Sequence, residues 1–193
     1  MRSRAKHRSC GGHPLGLGIT VLLTTQENEV TDRMDYTRVA PDAVHAMYAL
    51  QRYTQDSGLE HSLLELVKLR SSQLNGCAYC LDMHSKDARA GGETEQRIYV
   101  LSAWREAPFY TPRERAALAW TEAVTLISGG ASDELYASVR EHFNEKELVD
   151  LTMAIITING WNRLAIALGA DVGSYQPQQP APAGAQATGS DHH

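Results

Sequence analysis

Cys77-Ala78-Tyr79-Cys80-Leu81-Asp82-Met83-His84 gathers the residue types that carry thiol chemistry. In a helix, neighbours at i+3, i+4 and i+7 lie above one another, so Cys77, Cys80 and His84 share one face: two thiols with a base beside them. Asn75-Gly76 just upstream is a turn signal after the apolar-rich run Leu63 to Leu74. The implied order is helix, tight turn, and a new helix opening at or near Cys77. Cysteines in a first turn meet unpaired backbone N–H groups and the positive end of the helix macrodipole, which stabilise a thiolate. Such a pair is poised for redox chemistry.

Three readings fit these residues. Cys77, Cys80 and His84 could be plain core residues, since free cysteine packs well and a lone histidine is commonly structural. They could supply three zinc ligands, but a structural site wants four, and no second CxxC or HxxxH half follows. The third is a dithiol that oxidises and is reduced again, favoured by the CxxC, the His four residues on and the turn before it. A thioredoxin arrangement is excluded, because that CxxC follows a strand in an α/β pattern and this chain reads all-helical.

The surrounding elements must position that face. With 193 residues and 42% hydrophobic content the chain can bury a full core in one domain. A net charge of −5, with 18 Lys and Arg against 23 acids and no dense basic run past the first eight residues, speaks against a nucleic-acid partner. Three cysteines do not make a disulfide-stapled secreted domain, which favours a reducing, cytoplasmic setting.

Residues 1–33 read as a disordered or artefactual extension carrying Cys10, residues 34–174 as the helical domain, and residues 175–193, rich in Gln, Pro, Ala and Gly, as a disordered tail. Within the domain about seven helices are expected. Pro41 opens one with a stripe of Val44, Met47, Tyr48 and Gln51, closed at Ser57-Gly58. Glu60 to Gln73 is apolar nearly all round and expected to be buried. The cysteine helix runs from Cys77 to Ala90, and another from Thr94 to Trp104. Thr111-Pro112 starts an amphipathic helix with Ala116, Ala117, Trp120, Ala123, Val124 and Ile127 on one face, stopped by Gly129-Gly130. Ser132-Asp133 opens a shorter one to His142, and Asn144 caps a last one to Leu168. Its uncharged stretch Leu151 to Asn162 is too short for a membrane span and reads as a core or interface element. Two elements apolar all round exceed what a single layer of helices covers, which points to a homo-oligomer.

Glu65-Leu66-Val67-Lys68-Leu69-Arg70, Ser72-Gln73-Leu74-Asn75-Gly76-Cys77-Ala78-Tyr79-Cys80 and His84-Ser85-Lys86-Asp87-Ala88 strongly resemble the alkylhydroperoxidase D-like branch of the carboxymuconolactone decarboxylase family. The likeness spans Met34 to Tyr175 and includes Ile158-Asn159-Gly160-Trp161-Asn162-Arg163. It implies an all-α fold that assembles as a trimer or hexamer and a thiol-based hydroperoxidase. Such an enzyme needs a hydroperoxide substrate and an external dithiol reductant, and no bound organic cofactor or metal.

By the same resemblance Cys80 is the peroxidatic cysteine, Cys77 the resolving one, His84 the base near Cys80 and Glu65 the carboxylate of a proton relay. One position departs, since Tyr79 stands where the best-studied members have a second histidine. A physical tension accompanies the assignment, because the helix dipole favours the more N-terminal Cys77 as thiolate. Glu65 has a competing reading as a solvated-face residue. If it packs over the thiols instead, desolvation would raise its pKa towards the range of a neutral-pH proton shuttle. His61 and His142 read as surface residues. Lactone decarboxylation, the activity that names the wider family, is a competing function, but those members generally lack the CxxC. A non-enzymatic redox-sensing dithiol is another.

Overall fold

The computed structural model describes residues 33–177. Among them the chain forms eight α-helices, two 3-10 turns and no strand: α1 (Tyr36–Val39), α2 (Pro41–Gln55), α3 (His61–Asn75), α4 (Ala78–Ala90), α5 (Glu95–Tyr99), α6 (Pro112–Thr125), α7 (Asp133–Arg140) and α8 (Glu145–Leu168). The all-helical expectation holds, with the short α1 added. The expectations for residues 1–32 and for 178–193, Cys10 included, lie outside the described residues.

Helix α3 is the axis of the molecule, and every residue from Leu63 to Lys68, and Leu69 after it, is buried. It is apolar all round because separate cores press on its sides. On one, Leu63, Leu64 and Val67 pack with Ala117 of α6, Phe143, and Leu151 and Ile155 of α8. On another, Leu66 and Leu69 meet Leu101, Trp104, Tyr110 and Leu118. The remaining strip carries Glu65 and Lys68 and faces α4. Helix α8, the one described helix whose length and composition would suit a membrane span, is a core element here, burying Leu148, Leu151, Ala154, Ile155 and Ile158 against its neighbours.

The helix starts follow their side chains. Thr111 with Glu114 and Asn144 with Glu147 form reciprocal capping boxes on α6 and α8, each satisfying two otherwise unpaired N–H groups. Three expectations are corrected. The Thr94–Trp104 helix breaks after Tyr99 into a 3-10 turn over Leu101–Ala103. Leu101 and Trp104 are both core residues, and three residues per turn brings positions three apart onto one line. Helix α6 ends at Thr125, before the glycine pair, because Leu126 and Ile127 have left the core and are more than half exposed. Helix α2 buries Val44 and Thr54 only, with Tyr48 half exposed. It leans on α8 at one close approach, where a Cβ on Gly160 would stand 2.8 Å from the Met47 methyl.

Candidate active site

The junction of α3 and α4 is built by one glycine. Gly76 sits at φ 70°, a left-handed conformation that a side chain disfavours, and from there the Cys77 N–H reaches back 3.0 Å to the Ser72 carbonyl. The chain reverses within two residues and delivers Cys77 as the N-cap of α4. The Cys77 Sγ accepts a hydrogen bond from the Cys80 N–H at 3.4 Å, the role an oxygen fills at most helix starts. Both cysteines are free thiols and both are buried. Ile158 and Ala165 of α8 close over them, with Asn162, fully buried, between.

The two thiols part in acidity. Cys77 is lowered to about 7, chiefly by the hydrogen bond from the Cys80 thiol. Burial opposes this, while the backbone N–H groups of Cys80 and Tyr79 and the Asn162 amide reinforce it. Cys80 is pushed far up, because it holds the donated proton, is buried, and faces the Cys77 charge. The pair therefore releases one proton near neutrality and keeps the second. Cys77 is thus the more acidic thiol, as the dipole argument expected, but the Cys80 thiol is its chief cause. Cys80, however, is the cysteine that faces open space, lining with His84, Tyr79 and Trp161 a cavity of about 100 Å³.

Glu65 is not a solvated-face residue; it is 3% exposed. Its Oε1 accepts from the Lys68 ammonium at 2.7 Å, and its Oε2 lies 2.9 Å from His84 Nδ1. Burial alone would raise the Glu65 pKa, and that is the largest single influence, but His84 and then Lys68 outweigh it and hold the carboxyl at about 2. This overturns the expected upward shift. A carboxylate ionised throughout the neutral range carries no proton there. What it does is accept from Nδ1–H, fixing the imidazole tautomer and leaving Nε2 to exchange protons. His84 bonds to Glu65 rather than to a sulfur and lines the same cavity as Cys80.

Sequence reasoning missed several participants. Lys68 is buried, and its spacing three residues after Glu65 on one helix was the available signal. Asn162 accepts from Asn75 Nδ2 at 2.8 Å and donates to Ser72 Oγ at 3.0 Å, a network that no local pattern reveals. His61 is exposed as expected, yet its Nε2 stands 3.9 Å from Glu65 Oε1. A larger polar cleft of about 720 Å³ opens beside the small cavity, lined by His61, Glu65, Lys68 and Asp87. Tyr175 crosses its edge, donating to Asp87 Oδ1 at 2.7 Å.

Metal ligands group differently from the zinc reading. Among the described residues, Glu65, His84 and Asp87 place one ligand atom each within 4.8 Å of one another, and neither cysteine joins them. Lys68 already neutralises Glu65, and the Tyr175 phenol already occupies Asp87. The cluster is satisfied by its own hydrogen bonds.

A model of the carboxymuconolactone decarboxylase family matches residues 41–123, a span that contains α3, the Gly76 turn and the whole of α4. The chain belongs to this family. It is 50% identical over 141 residues to the uncharacterized protein YdfG of Bacillus subtilis, a match covering 72% of this chain and 96% of YdfG. Among solved structures, a protein of unknown function from Agrobacterium tumefaciens, suggested to be the antioxidant defence protein AhpD, is 45% identical with a TM-score of 0.73. That match covers 75% of this chain and all of the other. The alkylhydroperoxidase AhpD core of a peroxidase-related protein from Ralstonia eutropha is 22% identical with a TM-score of 0.64, over 72% of this chain and 74% of that one. At that identity the likeness is one of fold. Family membership and AhpD-like architecture thus agree with the all-helical fold described above.

Proposed function

We propose that this member of the family is a thiol-dependent peroxidase that reduces hydroperoxides at Cys80, with Cys77 as resolving cysteine and His84 as proton carrier. The observation that carries the reading is the geometry of the thiol pair: two free, buried sulfurs at a helix start, Cys77 Sγ accepting from the Cys80 N–H, with Cys80 lining a cavity that His84 also lines.

The shared proton removes the tension between acidity and assignment. Transfer of the Cys80 proton to the Cys77 thiolate leaves Cys80 as the nucleophile. Its sulfur attacks the distal peroxide oxygen, the S–O bond forms as the O–O bond breaks, and the electron pair leaves on an alkoxide that takes the Nε2 proton of His84 in its imidazolium form, a proton drawn from solvent because the Cys80 proton has gone to Cys77. The Cys77 thiol then condenses with the Cys80 sulfenic acid, releasing water and forming the disulfide. An external dithiol restores both thiols by exchange. Glu65 acts as a positioning residue for His84 rather than as a relay. A reducing, cytoplasmic setting and a homo-oligomeric enzyme complete the reading.

The test is peroxide consumption by purified protein with a panel of dithiol donors. Steady turnover is expected, abolished in Cys80→Ser, while Cys77→Ser still forms one trappable sulfenic acid per chain. Stoichiometric oxidation without turnover by any donor would favour a redox sensor. Thiols that stay alkylatable after oxidant would end the redox reading altogether.

A further inference from the structure

On α8, Ile158-Asn159-Gly160-Trp161-Asn162-Arg163 carries polar side chains that the peroxidase mechanism leaves without a role. Asn162 is the central one. It is wholly buried between Ile158 and Ala165, the two α8 residues that pack on Cys77 and Cys80. Its side chain spans the turn that delivers Cys77: Oδ1 accepts from Asn75 Nδ2 at 2.8 Å, and Nδ2 donates to Ser72 Oγ at 3.0 Å. Ser72 is the residue whose carbonyl receives the Cys77 N–H, and Asn75 immediately precedes the Gly76 reversal. Asn159 stiffens this clamp. Its Oδ1 accepts from the same Asn75 amide at 2.9 Å and from the Arg163 guanidinium at 3.1 Å.

We propose that Asn162 both positions and stabilises the thiol pair: from α8 it clamps the two ends of the Cys77 turn and turns its second amide N–H to the sulfurs, serving whichever of them carries the charge. The proposal rests on the thiol peroxidase reading and adds to it the group that lets the charge pass from Cys77 to Cys80.

The need for such a donor follows from where the backbone N–H groups go. Those of Cys80 and Tyr79 serve the Cys77 sulfur, the first at 3.4 Å, and neither acts on Cys80. When the Cys80 proton moves to Cys77, the charge therefore arrives on a buried sulfur that the helix start does not serve. Charged groups nearby are committed elsewhere. Lys68 and His84 are held by Glu65, Arg163 by Asn159, and Asp82 pairs with Lys86. Tyr48 of α2 lies against Trp161, while burial pushes up the phenols of Tyr36 and Tyr79, which stay neutral near pH 7. A carboxamide carries two N–H donors, and Ser72 takes one. The other acts on both thiols. On Cys77 it adds to the Cys80 hydrogen bond, the chief influence, and on Cys80 it opposes the rise that the Cys77 hydrogen bond and burial cause. A preorganised donor within reach of both sulfurs stabilises the anion before and after the transfer.

The experiment follows Cys77 alkylation by iodoacetamide against pH, and single-turnover oxidation by hydrogen peroxide, in wild type, Asn162→Ala, Asn162→Asp and Leu148→Val. The alkylation midpoint of Asn162→Ala should rise by about one pH unit or more, and its oxidation at pH 7 should fall about 10-fold. Asn162→Asp keeps the clamp, because a carboxylate still accepts from Asn75 and the Ser72 hydroxyl can turn to donate to it. It puts an anionic oxygen where the N–H stood, so its midpoint should rise further. Leu148→Val thins the other core that α8 serves; it should lower the melting temperature, leave the midpoint in place and keep the rate within about twofold. An unmoved midpoint in Asn162→Ala, or in Asn162→Asp where the alanine variant does not fold, would overturn this inference and leave the peroxidase reading standing. So would a Leu148→Val midpoint shifted as far as that of Asn162→Ala. Wild type inert to peroxide, with midpoints that move as expected, would sink the peroxidase reading and leave Asn162 as the donor of a dithiol site.

Discussion

Replacing Glu65 with glutamine should lower the stability of this protein near neutrality and also change how that stability depends on pH. In the folded protein the carboxyl is held at about 2 against an ordinary 4.5. At about 1.4 kcal/mol per tenfold change in proton affinity, that difference amounts to about 3 kcal/mol favouring the folded state. The folded pKa lies below the unfolded one, so the contribution is complete above pH 4.5 and is lost as pH falls through the window from 4.5 towards 2. About 2 kcal/mol of it should be gone by pH 3. The amide cannot titrate, so the variant lacks this slope, although it leaves the Lys68 ammonium buried beside a neutral group and is less stable at pH 7. The assay is urea unfolding of both proteins at pH 7, 5, 4 and 3, read as the difference in unfolding free energy. That difference should narrow by about 2 kcal/mol between pH 5 and pH 3. A constant difference across the series would mean that Glu65 is not held ionised by Lys68 and His84, and the account of how His84 is oriented would fail with it. Peroxide turnover offers a second reading of the same variant. It should fall because His84 loses its anchor, and the fall should persist at every pH rather than tracing a carboxylate titration.

The thiol pair should titrate as a unit. Alkylation of Cys77 by iodoacetamide should rise with pH with a midpoint near 7, while Cys80 lags at every pH, as mass spectrometry of the labelled peptides would report. In Cys80→Ala the Cys77 midpoint should move up, because its largest stabilising contact, the Cys80 thiol, is gone; an unmoved midpoint would assign the acidity to the helix start alone. Assembly is the other expectation. Helix α8 leaves Val149, Ile156 and Ile166 about half exposed, and Leu126 and Ile127 add exposed apolar side chains that a second subunit would cover. Light scattering coupled to size exclusion should give a trimer or hexamer, and a monomer mass across micromolar concentrations would refute it.

The local signals in this sequence carried far. Proline at the first helical position of α2, the capping threonine and asparagine of α6 and α8, and the all-round apolar run of α3 are each decided by interactions within a few residues, so their elements could be placed without the fold. The same is true of Cys77 at a helix start. The Asn75-Gly76 turn, the N-cap role and the first-turn N–H groups all lie within six residues, and the lowered thiol follows from them together with the neighbouring Cys80.

What failed depended on partners distant in sequence. The break after Tyr99 follows from Leu101 and Trp104 both needing the core beside Leu66 and Leu69, and no propensity in Thr94 to Trp104 encodes that. The charge state of Glu65 was misread because burial is legible from periodicity, whereas the competing partner, His84, sits 19 residues away on another helix. Which sulfur lines the cavity is settled only when α8 closes over α4. The sequence by itself determined the chemistry available here, two thiols, an imidazole and a carboxylate on successive helices. The tertiary structure alone decided the charge state of Glu65, because desolvation and hydrogen bonding act through space on it and His84, which the chain keeps 19 residues apart.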